Sequence, residues 1–398
     1  MGDTEQTAVV TAIANGDGAA AARSLVADLR RGLGERQPAF VLVFASTSQP
    51  LTEVMPVVAE AFGADRVLGS STSGEFTETS VAKSSVSAVA VAGAFELHAG
   101  LGRGLKASPE RAVAAAVESL PREVDGLPHR TAILLLDPLA GVSEEATLMA
   151  AAALGDDAPV PLAGGAAGDD LAMTQTWVAC GTEVASDAVV VATIHSRHRL
   201  GIGVHHGHVA LSDPLSVTKA DGATVHEIDG RPAWEVWAEK TSASAGERGV
   251  DPSSLGDGEI GAYLLRYEAG LASGSSMKIR APLSRGEDGS LGFACGIAQG
   301  SVIRITESEP SRQVDSAREA ARRARDALDR PAAGAIVFDC ICRNLILGDA
   351  FDTAVRGMSE ELGNVPLAGF ETYGEIALDV GDMSGFHNTT TVVLALPS

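Results

Sequence analysis

Residues 366–376 read PLAGFETYGEI, and two earlier stretches of the chain answer to it: LGSSTSGEF at 68–76 and PLAGGAAGDDL at 161–171. The first and last share G-x-x-T-x-G-E, running from Gly69 through Thr72 and Gly74 to Glu75 and from Gly369 through Thr372 and Gly374 to Glu375. The middle copy keeps G-x-x-x-G-D, from Gly164 to Asp169, with the acid one carbon shorter. The flanks repeat too. Uninterrupted apolar runs, FVLVFAST (40–47), TAILLLDPL (131–139) and AIVFDCIC (335–342), precede the three motifs. Such runs read as strands buried on both faces. An Ala-rich helical pattern lies before each run, and a second helix is expected near 51–62, 143–154 and 350–362. Another strand follows each motif, at 86–93, 188–194 and 389–396.

The unit is therefore helix, strand, helix, glycine-rich loop, strand, and it occurs three times. Diverged copies of this kind mean duplication within a globular fold rather than an open solenoid. The expected class is α/β (or α+β), with helix-covered sheets. A strand-rich insertion, roughly 196–310, separates repeats two and three. In it Asp221-Gly222 is a hairpin turn, Pro232 opens a helix, 241–258 is a mobile loop, and AYLLRYE and SVIRITE are β-like. The predicted regions are a helical lead-in at 1–37, repeats one and two at 38–221, and the strand-rich module with repeat three at 222–398.

Apolar residues make up 45% of the 398 and charged residues 21%, a globular composition. Aromatics are only 4%, so the cores rest on Val, Leu, Ile and Ala, and stacking platforms for single-stranded nucleic acid are scarce. A net charge of −22 repels phosphate backbones and anionic membranes. It fits the acidic proteome of a salt-tolerant or high-GC bacterium, or else an acidic surface made for a basic partner. No basic n-region with an apolar core opens the chain, and no run of apolar residues is long enough to span a bilayer. The four scattered cysteines fit a reducing cytosol rather than a disulfide framework.

Glycine-rich loops at strand ends bring backbone amides close to a ligand, and Thr72 and Thr372 add hydroxyls. Glu75 and Glu375 can hold an ammonium group or simply pin the loop. The plainer alternative is that these residues only make tight turns. GGAAGD lacks the Lys-Ser/Thr of a phosphate loop, so nucleotide binding has no support. Five of the nine histidines fall between His195 and His208, and strand alternation puts His206 and His208 on one face with His205 on the other. No convergent metal set follows from that spacing. Cys340 and Cys342 sit two apart on a predicted strand, pointing the same way as buried thiols. No nucleophile elbow, HExxH or paired-carboxylate motif is present, and no catalytic residue is assigned.

The combination AIVFDCICR, PLAGFETYGEI and FHNTTT resembles the C-terminal half of the FIST (F-box and intracellular signal transduction) family. VLGSSTSGEF, PLAGGAAGDD and GIGVHHGHVALSDPLSVTKADGATVHEIDGRPAWEVW resemble its N-terminal half. Family-like positions are Gly69, Gly74, Glu75, Cys340, Arg343, Gly369, Tyr373, Gly374, Glu375 and Asn388, together with His206-Gly207. Cys342 departs from the small residue the family pattern carries. The resemblance implies a stand-alone cytoplasmic sensor binding a small ligand such as an amino acid and signalling to a separate protein. In that reading Arg343 engages a carboxylate and Glu375 an ammonium, with no nucleic acid and no membrane as partner and the oligomeric state left open. Haem-binding members imply an alternative, a gas sensor using His206, His208 or His387. An enzyme around Cys340 and Glu375, or a plain scaffold, are the remaining readings.

Overall fold

The computed structural model describes residues 6–155, 159–273, 276–378 and 385–398. Its organising elements are the three inner strands Phe40–Ser46, His129–Leu136 and Ala332–Cys340. Period-two alternation splits each of them between two cores. Phe40, Leu42 and Phe44, with Ile133 and Leu135 and with Ile336 and Phe338, point into one shared central core. The intervening residues Val41 and Val43, Leu134 and Leu136, and Ala335 and Val337 face three separate helix layers. Burial on both faces is why these strands read as continuous apolar runs. The mixed α/β architecture is as the sequence indicates.

Each unit opens with a strand ahead of its helix. Leading strands Ala8–Asn15, Phe95–Arg103 and Gly201–His206 pair antiparallel with the return strands Ser85–Ala92, Ala188–Ser196 and Thr390–Pro397. The segment 1–37 is thus not a helical lead-in, because residues 8–15 form a sheet edge before the helix Gly18–Leu33. The insertion likewise falls inside unit three, since Gly201–His206 already belongs to that unit's sheet.

The repeated motif is a strand, followed by a tight turn in units one and three and by the longer loop 167–177 in unit two. Motif strands Val67–Thr72, Leu162–Ala166 and Leu367–Thr372 pair in parallel with their own inner strands. The hairpin after each turn then leaves its unit. Unit one's hairpin (Glu75–Thr77, Ser80–Ala82) joins the motif strand of unit three. Unit two's (Val178–Cys180, Glu183–Ala185) joins unit one, and unit three's (Glu375–Leu378, Gly385–His387) joins unit two. The three exchanges close a cycle, giving three six-stranded sheets around the central core.

Small residues set the distance between helices and sheets. In unit three the helix Pro310–Asp326 turns Ala317, Ala320, Ala321 and Ala324 inward, while its arginines stay outside. The facing leading strand carries Gly201 and Gly203, where a β-carbon would come within 1.9 Å of the Ala324 and Ala320 carbonyl oxygens. Unit two repeats this with Gly100 and Gly102 against Ala116 and Ala112.

The inserted module is built on a nine-stranded sheet whose core holds Trp237, Tyr263, Tyr267 and Phe293. The Asp221-Gly222 hairpin and the helix starting after Pro232 are present. The expected mobile loop is largely ordered. The helix Ala233–Gly246 continues into it, a short turn follows at Pro252–Ser254, and a second helix spans Asp257–Arg266. AYLLRYE is mostly helical, because Ile260, Tyr263 and Leu264 recur at helical spacing on the core side. No helix among the described residues is long and apolar enough to cross a membrane.

Candidate functional site

The three motif turns interlock at one end of the central core. The Ser73 N–H donates to Glu371 O (3.1 Å), Gly168 N–H to Ser71 O (2.9 Å), and Ala166 N–H to Gly374 O (2.8 Å). Gly74 and Gly374 take φ 154° and 152°, a conformation that side-chain-bearing residues rarely adopt. The other motif glycines are occupied by packing. A β-carbon on Gly69 would meet Met55 sulfur at 2.7 Å, on Gly164 the Leu134 carbonyl at 2.0 Å, and on Gly369 the Val337 carbonyl at 2.4 Å.

Glu75 and Glu375 act as matching staples. Glu75 accepts from Thr72 Oγ1 and from the Ser85 N–H at 3.3 Å. Glu375 accepts from Thr372 Oγ1 and from the Thr390 N–H at 3.2 Å. Each ties a motif turn to the start of its own return strand. In unit two the same task falls to Asp137, which accepts from Thr176 Oγ1 and the Asp187 N–H, both at 2.6 Å. Asp137 lies outside the motif, so no local pattern marks it. Asp169, the acid of motif two, caps a loop instead. It accepts the Met173, Thr174 and Gln175 N–H groups (2.8, 2.6 and 2.9 Å) and the Tyr373 hydroxyl. Burial works against its charge, but these donors outweigh it and hold the carboxyl below its ordinary range.

Arg343 is fully buried and its donors are committed. Nε reaches Asp339 at 2.6 Å, Nη1 reaches Ser316 Oγ at 2.7 Å and also Gln313 Oε1, and Nη2 reaches Gln313 O at 2.9 Å. Cys340 ends its strand, and Cys342 lies on the helix Ile341–Leu347, so the expected strand pairing of the two thiols does not hold. His206 and His208 lie on different strands, Gly201–His206 and His208–Ala210, so the expected alternation along one strand does not hold; the His206 ring is 6.2 Å from that of His208 and 5.7 Å from that of His205. Both are buried, His206 against Met277 O (3.0 Å) and His208 with Nε2 3.6 Å from Glu268. His387 is buried as well.

The central feature is a cleft of about 340 Å³ between units two and three and the inserted module. Unit two contributes Leu139, Leu171 and Met173, the module Leu265, Ala281, Leu283 and Phe293, and unit three Cys340, Cys342, Leu345, Tyr373 and Asn388. Of the residues singled out from sequence, Cys340, Cys342, Tyr373 and Asn388 line it, and Asp169 stands one hydrogen bond behind Tyr373. Gly69, Thr72, Gly74, Glu75, Gly164, Arg343, Gly369, Thr372, Gly374, Glu375 and His206 do not line it. None of His206, His208 and His387 reaches the cleft, so its walls offer no imidazole to a haem iron. Among the described residues no group of three or more His, Cys, Asp or Glu is placed to hold a metal ion.

Backbone strain concentrates around this cleft. Asp170, Leu171 and Met173 have φ 55°, 66° and 52°. Thr389, next to the floor residue Asn388, has φ 47°, a real outlier for a β-branched side chain. Strained positions of this kind cluster at ligand sites because the surrounding structure must hold them in place. Here Asp169 and Tyr373 hold the loop, while Glu268 accepts the Thr389 hydroxyl at 2.8 Å.

Behind the turns, Glu75 and Glu371 are buried carboxyls, raised by desolvation to about 7 and about 8 from an ordinary 4.5. The folded chain keeps protons there that the unfolded chain sheds above pH 4.5. Their contribution to stability is therefore full below pH 4.5 and declines as pH rises toward about 8. Glu371→Gln keeps the neutral shape, so its stability is expected to fall less than that of the parent over this interval. Urea midpoints measured at a series of pH values check this; parallel profiles would refute it. Burial depresses His205 and His206 to about 4 and His387 to about 3, so their contributions are lost as pH falls below the ordinary 6.5.

Two family models match the chain, one described as FIST N domain over residues 39–231 and one as FIST C domain over 235–378. An uncharacterized protein of Methanocaldococcus jannaschii is 26% identical over 183 residues, which is 44% of this chain and 34% of that protein. An uncharacterized protein of Mycobacterium tuberculosis is 26% identical over 196 residues, 49% of this chain and 50% of the relative. The matches thus span a third to a half of these relatives' own length.

Proposed function

The chain belongs to the FIST family, whose domains are sensory domains of signal transduction, and on that premise we propose that it senses a small molecule held in the cleft. One observation carries the placement. The cleft is walled by three separate parts of the fold and ringed by backbone held in costly conformations, whereas the glycine-rich motifs are consumed by packing. This moves the expected ligand away from the motif turns and from Arg343 and Glu375, to the pocket beside Cys340, Tyr373 and Asn388. A ligand touching all three walls stabilises one mutual arrangement of unit two, unit three and the module, and so shifts their population. The output of that shift is a changed surface presented to a separate signalling protein. The sensory character of the family argues for ligand binding over catalysis, and the cytosol is the compartment we assign.

Co-purified material tests the placement. The protein and its Leu345→Arg variant are purified side by side, and small molecules released on denaturation are compared by mass spectrometry. A compound held by the parent and missing from the variant is the expected result. Identical extracts would sink the proposal for this cleft.

A further inference from the structure

The cleft contrasts sharply with the rest of the chain. The protein carries 52 acidic and 30 basic side chains, yet among the described residues no Asp, Glu, Lys, Arg or His lines this cavity. Two other clefts, at the far end of the units, are lined by Asp65, Arg66 and Glu96 in one case and by Arg122, Asp125 and Arg130 in the other. Here the polar groups are two thiols, one phenol and one carboxamide, all uncharged. The nearby charges are already committed. Asp169 is covered by the Tyr373 hydroxyl and three backbone N–H groups. Arg280 is taken by Glu144 and by the Phe386 carbonyl at 2.9 Å, and Arg343 by Asp339.

The rim is apolar as well. Leu171, Met173, Leu283 and Leu345 are 48%, 52%, 45% and 45% exposed, although large apolar side chains are otherwise seldom left so open in this fold. The floor is closed by Ala281 and Cys340, at 1% and 2% exposure. A concave apolar space of this size is at the small end of the range for small-molecule pockets, about 300–1,000 Å³. A carboxylate or ammonium entering it would lose hydration and find no opposite charge, a heavy cost in an apolar environment.

Resting on the reading of the cleft as the ligand site, we infer that the ligand is an uncharged, mainly apolar small molecule with a single polar end, and not a free amino acid. Its apolar body lies between Leu171, Leu283 and Leu345, and its polar end meets Asn388 and Tyr373. The soft thiols of Cys340 and Cys342 complete an apolar floor rather than a reactive pair.

The test uses the neutral fluorescent probe N-phenyl-naphthylamine, with octanol, octanoate, octylammonium and leucine as competitors. The probe should brighten on binding, and octanol should displace it. The two charged octyl compounds should need concentrations at least about ten-fold higher, the equivalent of about 1.4 kcal/mol, and leucine should not compete. Leu283→Arg and Leu345→Arg place a charge on side chains already half exposed, so the fold, followed by circular dichroism, should survive while probe affinity falls at least about ten-fold. Octanoate or leucine competing as well as octanol, with that competition lost in the two variants, would overturn the ligand class and leave the cleft as the site. Probe binding unchanged in both variants, or no probe binding at all, would overturn the cleft reading together with the inference.

Discussion

Arg343→Ala is expected to cost about 3–5 kcal/mol of folding stability, because it strands a buried carboxylate without its partner. Asp339 is wholly buried, and its two oxygens are shared between Arg343 Nε at 2.6 Å and Thr391 Oγ1 at 3.0 Å. The guanidinium also bridges to Gln313 and Ser316, so it joins the helix Pro310–Asp326 to the inner and return strands of unit three. Urea unfolding of the parent, Arg343→Ala and the double variant Arg343→Met with Asp339→Asn separates the causes. The double variant leaves no unpaired charge and should recover most of the loss. If Arg343 were instead an anchor for a ligand carboxylate, the single variant would keep the parent's midpoint and lose only binding, which would refute the structural role.

The repeat was legible because it rests on local signals. Both faces of the inner strands are buried, which writes a continuous apolar run into the sequence, and the turn at Gly74 and Gly374 needs glycine wherever it recurs. The first two leading strands were not legible. Ala8–Asn15 and Phe95–Arg103 are only half buried, so their pattern is too weak to separate from a helix or a loop. Hairpin exchange was also out of reach, because it is decided by partners in another unit rather than by any property of residues 75–82. The candidate site shows the same division. Cys340, Tyr373 and Asn388 stood out from their motifs, whereas Leu171, Leu283 and Leu345 come from three distant segments and look like ordinary apolar residues until the fold gathers them. An arginine beside a motif reads as a ligand anchor, and Arg343 is instead a structural tie. Its partners Gln313 and Ser316 lie on a helix whose approach the sequence does not encode locally.

Gly203→Ala is expected to destabilise the fold by about 3 kcal/mol or more, a loss at or beyond the upper end for overpacking by a single methyl. The new β-carbon would sit 1.9 Å from the Ala320 carbonyl oxygen and 2.5 Å from the Ala324 amide nitrogen, and both of these are helix backbone rather than movable side chain. Relief therefore requires the whole helix Pro310–Asp326 to lift from Gly201–His206, thinning the contacts of its alanine stripe and loosening Gln313 and Ser316 from Arg343. The equivalent Gly102→Ala presses on the Ala112 carbonyl at 1.8 Å and should behave alike in unit two. Gly246→Ala is the control, since a β-carbon there meets nothing within 4 Å and helix propensity favours alanine by about 0.5–1 kcal/mol. Denaturant midpoints for the three variants decide the matter. A Gly203→Ala protein as stable as the Gly246→Ala control would mean that close helix–strand approach does not hold the units together. It would also remove the physical reason offered for a chain so rich in alanine and glycine and so poor in aromatic residues.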